Sequence, residues 1–307
     1  MGCDEVVRMN ASDAPRVLVD VDGRAVCAQL RRPRRGDGSA TPVLLVAGGA
    51  GQGTEGAWGP ALEHRLTEER PVLTYDRSGS GRSDGPQHGT VAGMAEELEQ
   101  VRSAMEVQEP AILVGWSLGG HVAQGYALRY PDKVAGLVFV DPTPIEPPPK
   151  TAAVQVQLAI TRPLMAVVAL ASRAGAFSGR LGERLASALA GADATPETIA
   201  LMQRLVQSPV ALKAQVRLMS LVPRYSAELT EALTTGALPD VPATVITAGK
   251  RGGFPEEYVT NIRDSHERLV SRFPRGRHVT ADRATHQVPF DDPETVVVAV
   301  RSLAEAR

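Results

Sequence analysis

Short apolar runs recur along the chain and carry no charge. They are Pro42-Val43-Leu44-Leu45-Val46, Pro71-Val72-Leu73-Thr74-Tyr75, Ala111-Ile112-Leu113-Val114, Val134-Ala135-Gly136-Leu137-Val138-Phe139-Val140 and Pro242-Ala243-Thr244-Val245-Ile246-Thr247-Ala248. Runs of this length without polar alternation predict strands buried on both faces. Helical periodicity falls between them. Residues 90–107 place Val91, Met94, Leu98, Val101 and Met105 on one face with Thr90 as a cap. Residues 256–272 predict a second helix, 278–281 a last short strand, and Asp292-Pro293-Glu294 the start of a final helix. Residues 16–31 alternate as a half-buried hairpin about Asp22-Gly23, a strong two-residue turn signal. Strands alternating with helices predict right-handed crossovers and a mostly parallel sheet, with ligands at the carboxyl ends of its strands.

The rhythm changes from residue 145 to 238. Pro147, Pro148 and Pro149 mark the boundary, and Ala-, Leu-, Met- and Val-rich segments follow with cap-like starts at Thr195-Pro196-Glu197 and Ser208-Pro209. The pattern predicts several helices inserted between two strands, a cap over residues 1–144 and 239–307. Residues 164–171 are apolar nearly all round. They are expected to be buried, by helix packing, as a pocket wall or at a subunit interface.

The candidate chemistry starts at residue 111. A buried strand leads into Gly115-Trp116-Ser117-Leu118-Gly119 and then a helix-like segment ending before Pro131. Strand, Gly-x-Ser-x-Gly, helix is the setting of a nucleophile elbow, with Ser117 at the tip of the sheet and at a helix N-terminus. The plainer reading is a strand-to-helix turn with an N-capping serine. After residues 42–46 comes Ala47-Gly48-Gly49-Ala50-Gly51-Gln52-Gly53, too small to pack and so exposing backbone amides. The Gly-x-x-x-x-Gly-Lys-Ser/Thr pattern of a phosphate loop is absent.

Asp76-Arg77-Ser78-Gly79-Ser80-Gly81-Arg82-Ser83-Asp84 follows the strand at 72–75. With the glycine loop at 47–51, the Ser117 elbow and a late histidine in the same order, the chain resembles the α/β-hydrolase superfamily over residues 16–144 and 240–306. The resemblance implies an α/β fold, a mostly parallel eight-stranded sheet flanked by helices with an inserted helical cap. It also implies a serine nucleophile at Ser117 and a general base at His286, between the last strand and the last helix. The oxyanion amides would be those of Leu118 and Gly49, or Ala50 in the other loop register. Ala47 and Trp116 stand where many relatives carry histidine, which bears on pocket shape and loop packing.

The other histidines have ordinary expectations. His121 lies one turn along the elbow helix, His64 and His266 in polar helical segments, His88 in a loop and His278 at a strand start. The acid partner is ambiguous. Most of the superfamily place it after the seventh strand, but here Gly249-Lys250-Arg251-Gly252-Gly253-Phe254-Pro255 carries no carboxylate before Glu256 and Glu257. Those two open a helix, where a solvated acidic first turn is the ordinary role. Asp141 directly follows the sixth strand, the position used by haloalkane dehalogenases of the same fold. Its alternative role is to start the Asp-Pro turn into the insertion.

Composition narrows the field. The chain has 307 residues, 43% of them hydrophobic, and a formal charge of −2, so no electrostatic reason points to nucleic acid or an anionic membrane. Cys3 and Cys27 are too few for a disulfide framework and lack metal-ligand company. Met1-Gly2-Cys3 hints at myristoylation, but Val6 replaces the required Ser or Thr. No uninterrupted apolar run approaches membrane-spanning length. These features predict a soluble cytoplasmic protein without metal or cofactor. The expected reaction is hydrolysis of a hydrophobic small-molecule ester or lactone, and by resemblance lactonases acting on macrolactones such as zearalenone are one fit. Thioesterase, C–C hydrolase, acyltransferase and cofactor-free haloperoxidase chemistry use the same residues. A hydrolase-fold binding protein with vestigial catalysis is the reading from a different class. Oligomeric state is not encoded in any motif.

Overall fold

The computed structural model describes residues 14–35, 40–49, 53–54, 56–177, 179–190, 195–251 and 253–305. Among these, eight strands form one sheet: β1 (Val17–Val21), β2 (Arg24–Arg31), β3 (Val43–Val46), β4 (Val72–Tyr75), β5 (Ala111–Trp116), β6 (Val134–Val140), β7 (Ala243–Ala248) and β8 (Gly276–Ala281). Their spatial order is β1-β2-β4-β3-β5-β6-β7-β8. Only β1–β2 and β2–β4 pair antiparallel; every pairing from β4–β3 onward is parallel. The β1–β2 hairpin turns on Asp22 (φ 52°) and Gly23 (φ 74°), the double positive φ that matches strand twist.

The charge-free runs are explained by two apolar layers, one on each side of the sheet. Leu44, Val46, Leu73, Tyr75, Leu113, Leu137, Phe139 and Val245 feed one layer. It is completed by α2 (Val91–Ala104), α3 (Gly119–Arg129) and α8 (Glu256–Val270) through Leu98, Tyr126 and Leu269. Val43, Leu45, Val72, Ile112, Val114, Val138, Val140 and Ile246 feed the other. There α1 (Pro60–Thr67) and α10 (Pro293–Glu305) close the core with Leu62, Leu66, Val297 and Val300. Alternate residues of β3 to β7 serve opposite layers, so neither parity carries a charge. Helix starts follow side-chain chemistry. Thr90 accepts from Gly93 N at 3.1 Å, and Asp292 accepts from Thr295 N at 3.3 Å.

Between β6 and β7 lie α4 (Ala152–Arg173), α5 (Arg180–Ala190), α6 (Pro196–Gln207) and α7 (Pro209–Thr235). Thr195 caps α6 by accepting from Thr198 N, and Ser208 caps α7 by accepting from Ala211 N, each at 3.2 Å. The C-terminal half of α7 is tied to the sheet body. Glu228 accepts from Val91 N and Ala92 N at 2.8 Å each, and Tyr225 donates to the His88 carbonyl at 2.6 Å. Within the chain, residues 164–171 are not buried by helix packing. Leu164, Val167 and Leu170 are 54%, 64% and 70% exposed, and of that run only Val168 is buried. The reason is geometric: among the described residues α4 packs on α7 and touches α6, and its opposite side is uncovered.

Candidate active site

The chain reverses direction across the sheet between β3 and β5. From β3 it moves outward to β4, then returns to form β5 on the other flank, with Val46 beside Gly115. Loops leaving adjacent strands at such a switch point diverge and leave a crevice. The loop after β3 carries Gly48 and Gly49, and the loop after β5 carries Ser117. A Cβ on Gly48 would lie 2.7 Å from Ser117 Cβ, so these two loops are in contact.

Ser117 has φ 54°, in the left-handed region that a non-glycine residue adopts only where its surroundings enforce it. The enforcing contacts are visible. A Cβ on Gly119 would fall 1.9 Å from the Val46 carbonyl oxygen, and one on Gly115 would fall 2.5 Å from the Gly119 carbonyl oxygen. Ser117 N donates to Val140 O, and Ser117 O accepts from Gly120 N and Thr143 N, all at 3.0 Å. The turn is thus stitched to the end of β6 while its hydroxyl stands half-exposed, with Thr143 Oγ1 3.5 Å from Ser117 Oγ. Leu118 is the N-cap residue of α3, so its amide belongs to the electropositive end of that helix.

Asp141 and His286 meet. His286 Nδ1 lies 2.5 Å from Asp141 Oδ2. An ionised carboxylate can only accept, so Nδ1 carries the proton; in the neutral imidazole Nε2 then keeps its lone pair. Asp141 is buried, whereas His286 is half-exposed. Burial opposes ionisation of Asp141, but the hydrogen bond and charge of His286, together with Arg251, hold its carboxyl far below the usual carboxylate range. Its other oxygen, Oδ1, accepts from Ala248 N at 3.0 Å and from the Arg251 guanidinium. Asp141 itself sits at φ 42°. Among the described residues no hydrogen bond joins His286 to Ser117.

Glu256 and Glu257 lie apart from this cluster, exposed in the first turn of α8. The loop after β7 instead contributes Arg251, a cation directed at the carboxylate of the neighbouring strand. Ala50 lies outside the described residues.

Several side chains hold the site through contacts that no sequence motif specifies. Arg77 is buried and donates to the carbonyls of Ala47, Gly48 and Gly49, the last two at 3.1 Å. A trans peptide aims its C=O and N–H in opposite directions, so anchoring the Gly48 carbonyl turns the Gly49 N–H to the other side of the loop. Gln215 of α7 reaches the same loop; a Cβ on Gly49 would lie 2.6 Å from its Oε1. Trp116 donates its indole N–H to the His286 carbonyl at 2.9 Å and packs among Trp58, Phe290 and the His286 ring. That explains what tryptophan does at this position. Asp291 accepts from Thr285 N at 2.9 Å and Thr285 Oγ1 at 2.6 Å, pinning the residue before His286. It also accepts from Thr198 of α6 at 2.9 Å, which ties the inserted helices to the histidine loop.

His266, read as part of a polar segment, is buried behind Asp141. Its Nε2 donates to the Pro142 carbonyl at 2.8 Å, leaving Nδ1 to accept from Thr247 Oγ1 at 2.7 Å. Burial pushes its pKa down to about 4, so it stays neutral and holds the backbone that follows Asp141. His121 is buried on α3, where its Nε2 lies 3.3 Å from Ser226 Oγ. Among the described residues no group of three His, Cys, Asp or Glu side chains is arranged to hold a metal ion.

Comparison with known proteins places this geometry in context. The chain is 36% identical over 109 residues to proline iminopeptidase of Heyndrickxia coagulans, a match covering 34% of this chain and 36% of that protein. It is 36% identical over 109 residues to the 1-acylglycerol-3-phosphate O-acyltransferase ABHD5 of Rattus norvegicus, covering 34% of this chain and 30% of that protein. These matches span about a third of the length of either relative. A thermophilic esterase from Thermogutta terrifontis superposes with a TM-score of 0.64 at 23% identity, covering 95% of this chain and 99% of that one. Residues 41–292 match the family described as alpha/beta hydrolase fold. The chain belongs to the α/β-hydrolase family.

Proposed function

We propose that this protein is a serine hydrolase that cleaves a carboxylic ester or lactone of a hydrophobic small molecule through an acyl-enzyme. The observation that carries the reading is the 2.5 Å contact of His286 Nδ1 with the buried Asp141 carboxylate, on the same sheet edge as a serine at φ 54°. Ser117 Oγ attacks the carbonyl carbon while His286 Nε2 accepts its proton. The negative oxygen of the tetrahedral intermediate is met by the N–H groups of Leu118 and Gly49. His286 then protonates the departing alcohol and afterwards deprotonates the water that releases the acid. Asp141 stays ionised and stabilises the imidazolium without taking its proton.

The inserted helices act as a cap, and their apolar composition supports a hydrophobic substrate. The chemistry calls for no metal or cofactor. The test is covalent labelling by a fluorophosphonate followed by peptide mapping, together with a panel of activated esters, thioesters, lactones and a prolyl amide. Labelling confined to Ser117, with ester or lactone turnover above the amide and thioester, is the expected result. An unlabelled Ser117 in a folded protein overturns the nucleophile. Preference for the amide or thioester overturns the substrate class.

A further inference from the structure

Helix α4 presents an unusual face. Its inward positions Val154, Val168 and Ser172 are buried. Its outward positions include Val156 (58% exposed), Ile160 (58%), Leu164 (54%), Val167 (64%) and Leu170 (70%). At 100° per residue these five fall within an arc of about 120°, so they form one continuous stripe. Ala152, Ala153, Ala159, Pro163 and Ala166 are also exposed, and Gln155 and Arg173 stand at its edge. The helix has 22 residues and a mean hydropathy of 1.6 in its most apolar window, long and apolar enough to cross a membrane by those two measures. One side of it is nevertheless occupied by α7, which leaves a helix suited to lie in an interface.

Charge identifies what covers the stripe. Residues 146–184 contain Lys150, Arg162, Arg173, Arg180 and Arg184 against Glu146 and Glu183, a local excess of positive charge in a chain whose overall formal charge is −2. Lys150 precedes the stripe, Arg173 and Arg180 follow it, and all three are exposed. Apolar side chains flanked by cations at both ends match a surface that is oily inside and anionic at its border. Two copies of this segment would meet cation against cation, which disfavours self-association through the same face.

We infer that α4 docks this protein on an anionic lipid surface, with the Val156–Leu170 stripe at the acyl boundary and Lys150, Arg173 and Arg180 among the headgroups. The binding is independent of the chemistry at Ser117, so the two readings fail separately. The test is co-sedimentation of the full chain with vesicles of equal parts phosphatidylglycerol and phosphatidylcholine, against phosphatidylcholine alone. Binding to the anionic vesicles is expected, weakened as salt is raised. Val167→Asp with Leu170→Asp should cut it by about tenfold or more, and both residues are exposed, so the melting temperature should hold. Arg173→Glu with Arg180→Glu leaves the stripe intact and should cost roughly tenfold on anionic vesicles alone. No binding by the wild-type chain, or binding that neither pair weakens, overturns the inference. So does a dimer in analytical ultracentrifugation that the aspartate pair dissolves and the anionic vesicles do not displace.

Discussion

His286 and Asp141 are 145 residues apart in the chain, yet His286 Nδ1 lies 2.5 Å from Asp141 Oδ2. The contact forms because β6 ends beside β7, and β8 beside β7 delivers the histidine loop to the same sheet edge. Asp141→Asn should lower ester turnover by roughly 10⁴, because the amide no longer holds the Nδ1–H tautomer. Glu256→Gln and Glu257→Gln should leave turnover near wild type. Steady-state kinetics on the three variants decides it; an active Asp141→Asn and an inactive glutamate variant would move the acid to the β7 loop.

Ser117→Ala should abolish turnover and fluorophosphonate labelling without lowering the melting temperature. The side chain is half-exposed and its one hydroxyl neighbour is 3.5 Å away, so little packing is lost. Wild-type turnover in this variant would remove the central claim.

Arg77→Met should lower kcat by about 10², with a smaller change in KM, because the amide of Gly49 loses its fixed direction. Arg77→Lys keeps the charge but cannot span three carbonyls, so its kcat should fall between the two. Unchanged kcat in a folded Arg77→Met protein would show that the loop holds its shape without the guanidinium.

Glycine substitutions separate packing from conformation. Gly119→Ala should cost on the order of 3 kcal/mol or prevent folding, since its methyl would overlap the Val46 carbonyl. Gly179 has φ +70° and nothing within 4 Å of an added Cβ, so Gly179→Ala should cost only about 1–2 kcal/mol of left-handed strain. Denaturant unfolding measures both, and equal losses would contradict the close approach at the elbow.

Acid should weaken the fold through buried neutral histidines. Burial lowers the pKa of His121 from 6.5 to about 4. Between those values the unfolded chain binds the proton and the folded one does not, so stability is full above pH 6.5 and falls as pH drops towards 4. His121→Gln should remove this pH dependence, worth about 3 kcal/mol between pH 6.5 and 4, read from urea unfolding at several pH values. An unchanged slope would mean that His121 is protonated in the folded state.

Local chemistry was legible in the chain itself. The hairpin turn at Asp22-Gly23, the caps at Thr90, Thr195 and Ser208, and the charge-free strands are each decided by residues close in sequence. The Ser117 elbow is of the same kind, because Gly115 and Gly119 are needed by the turn they flank. Tertiary structure decided what depends on distant neighbours. Asp141 rather than Glu256 or Glu257 faces His286 because strand order, not sequence distance, sets which loops share an edge. Arg77 is one residue of the loop after β4 until the fold brings three carbonyls to it, and Trp116 bears on pocket shape until its indole meets the His286 carbonyl. Residues 164–171 depend on distant neighbours too. An apolar helix is buried within its own chain only where a second surface covers it, and among the described residues α7 and α6 contact α4 while the side of Leu164, Val167 and Leu170 is left exposed.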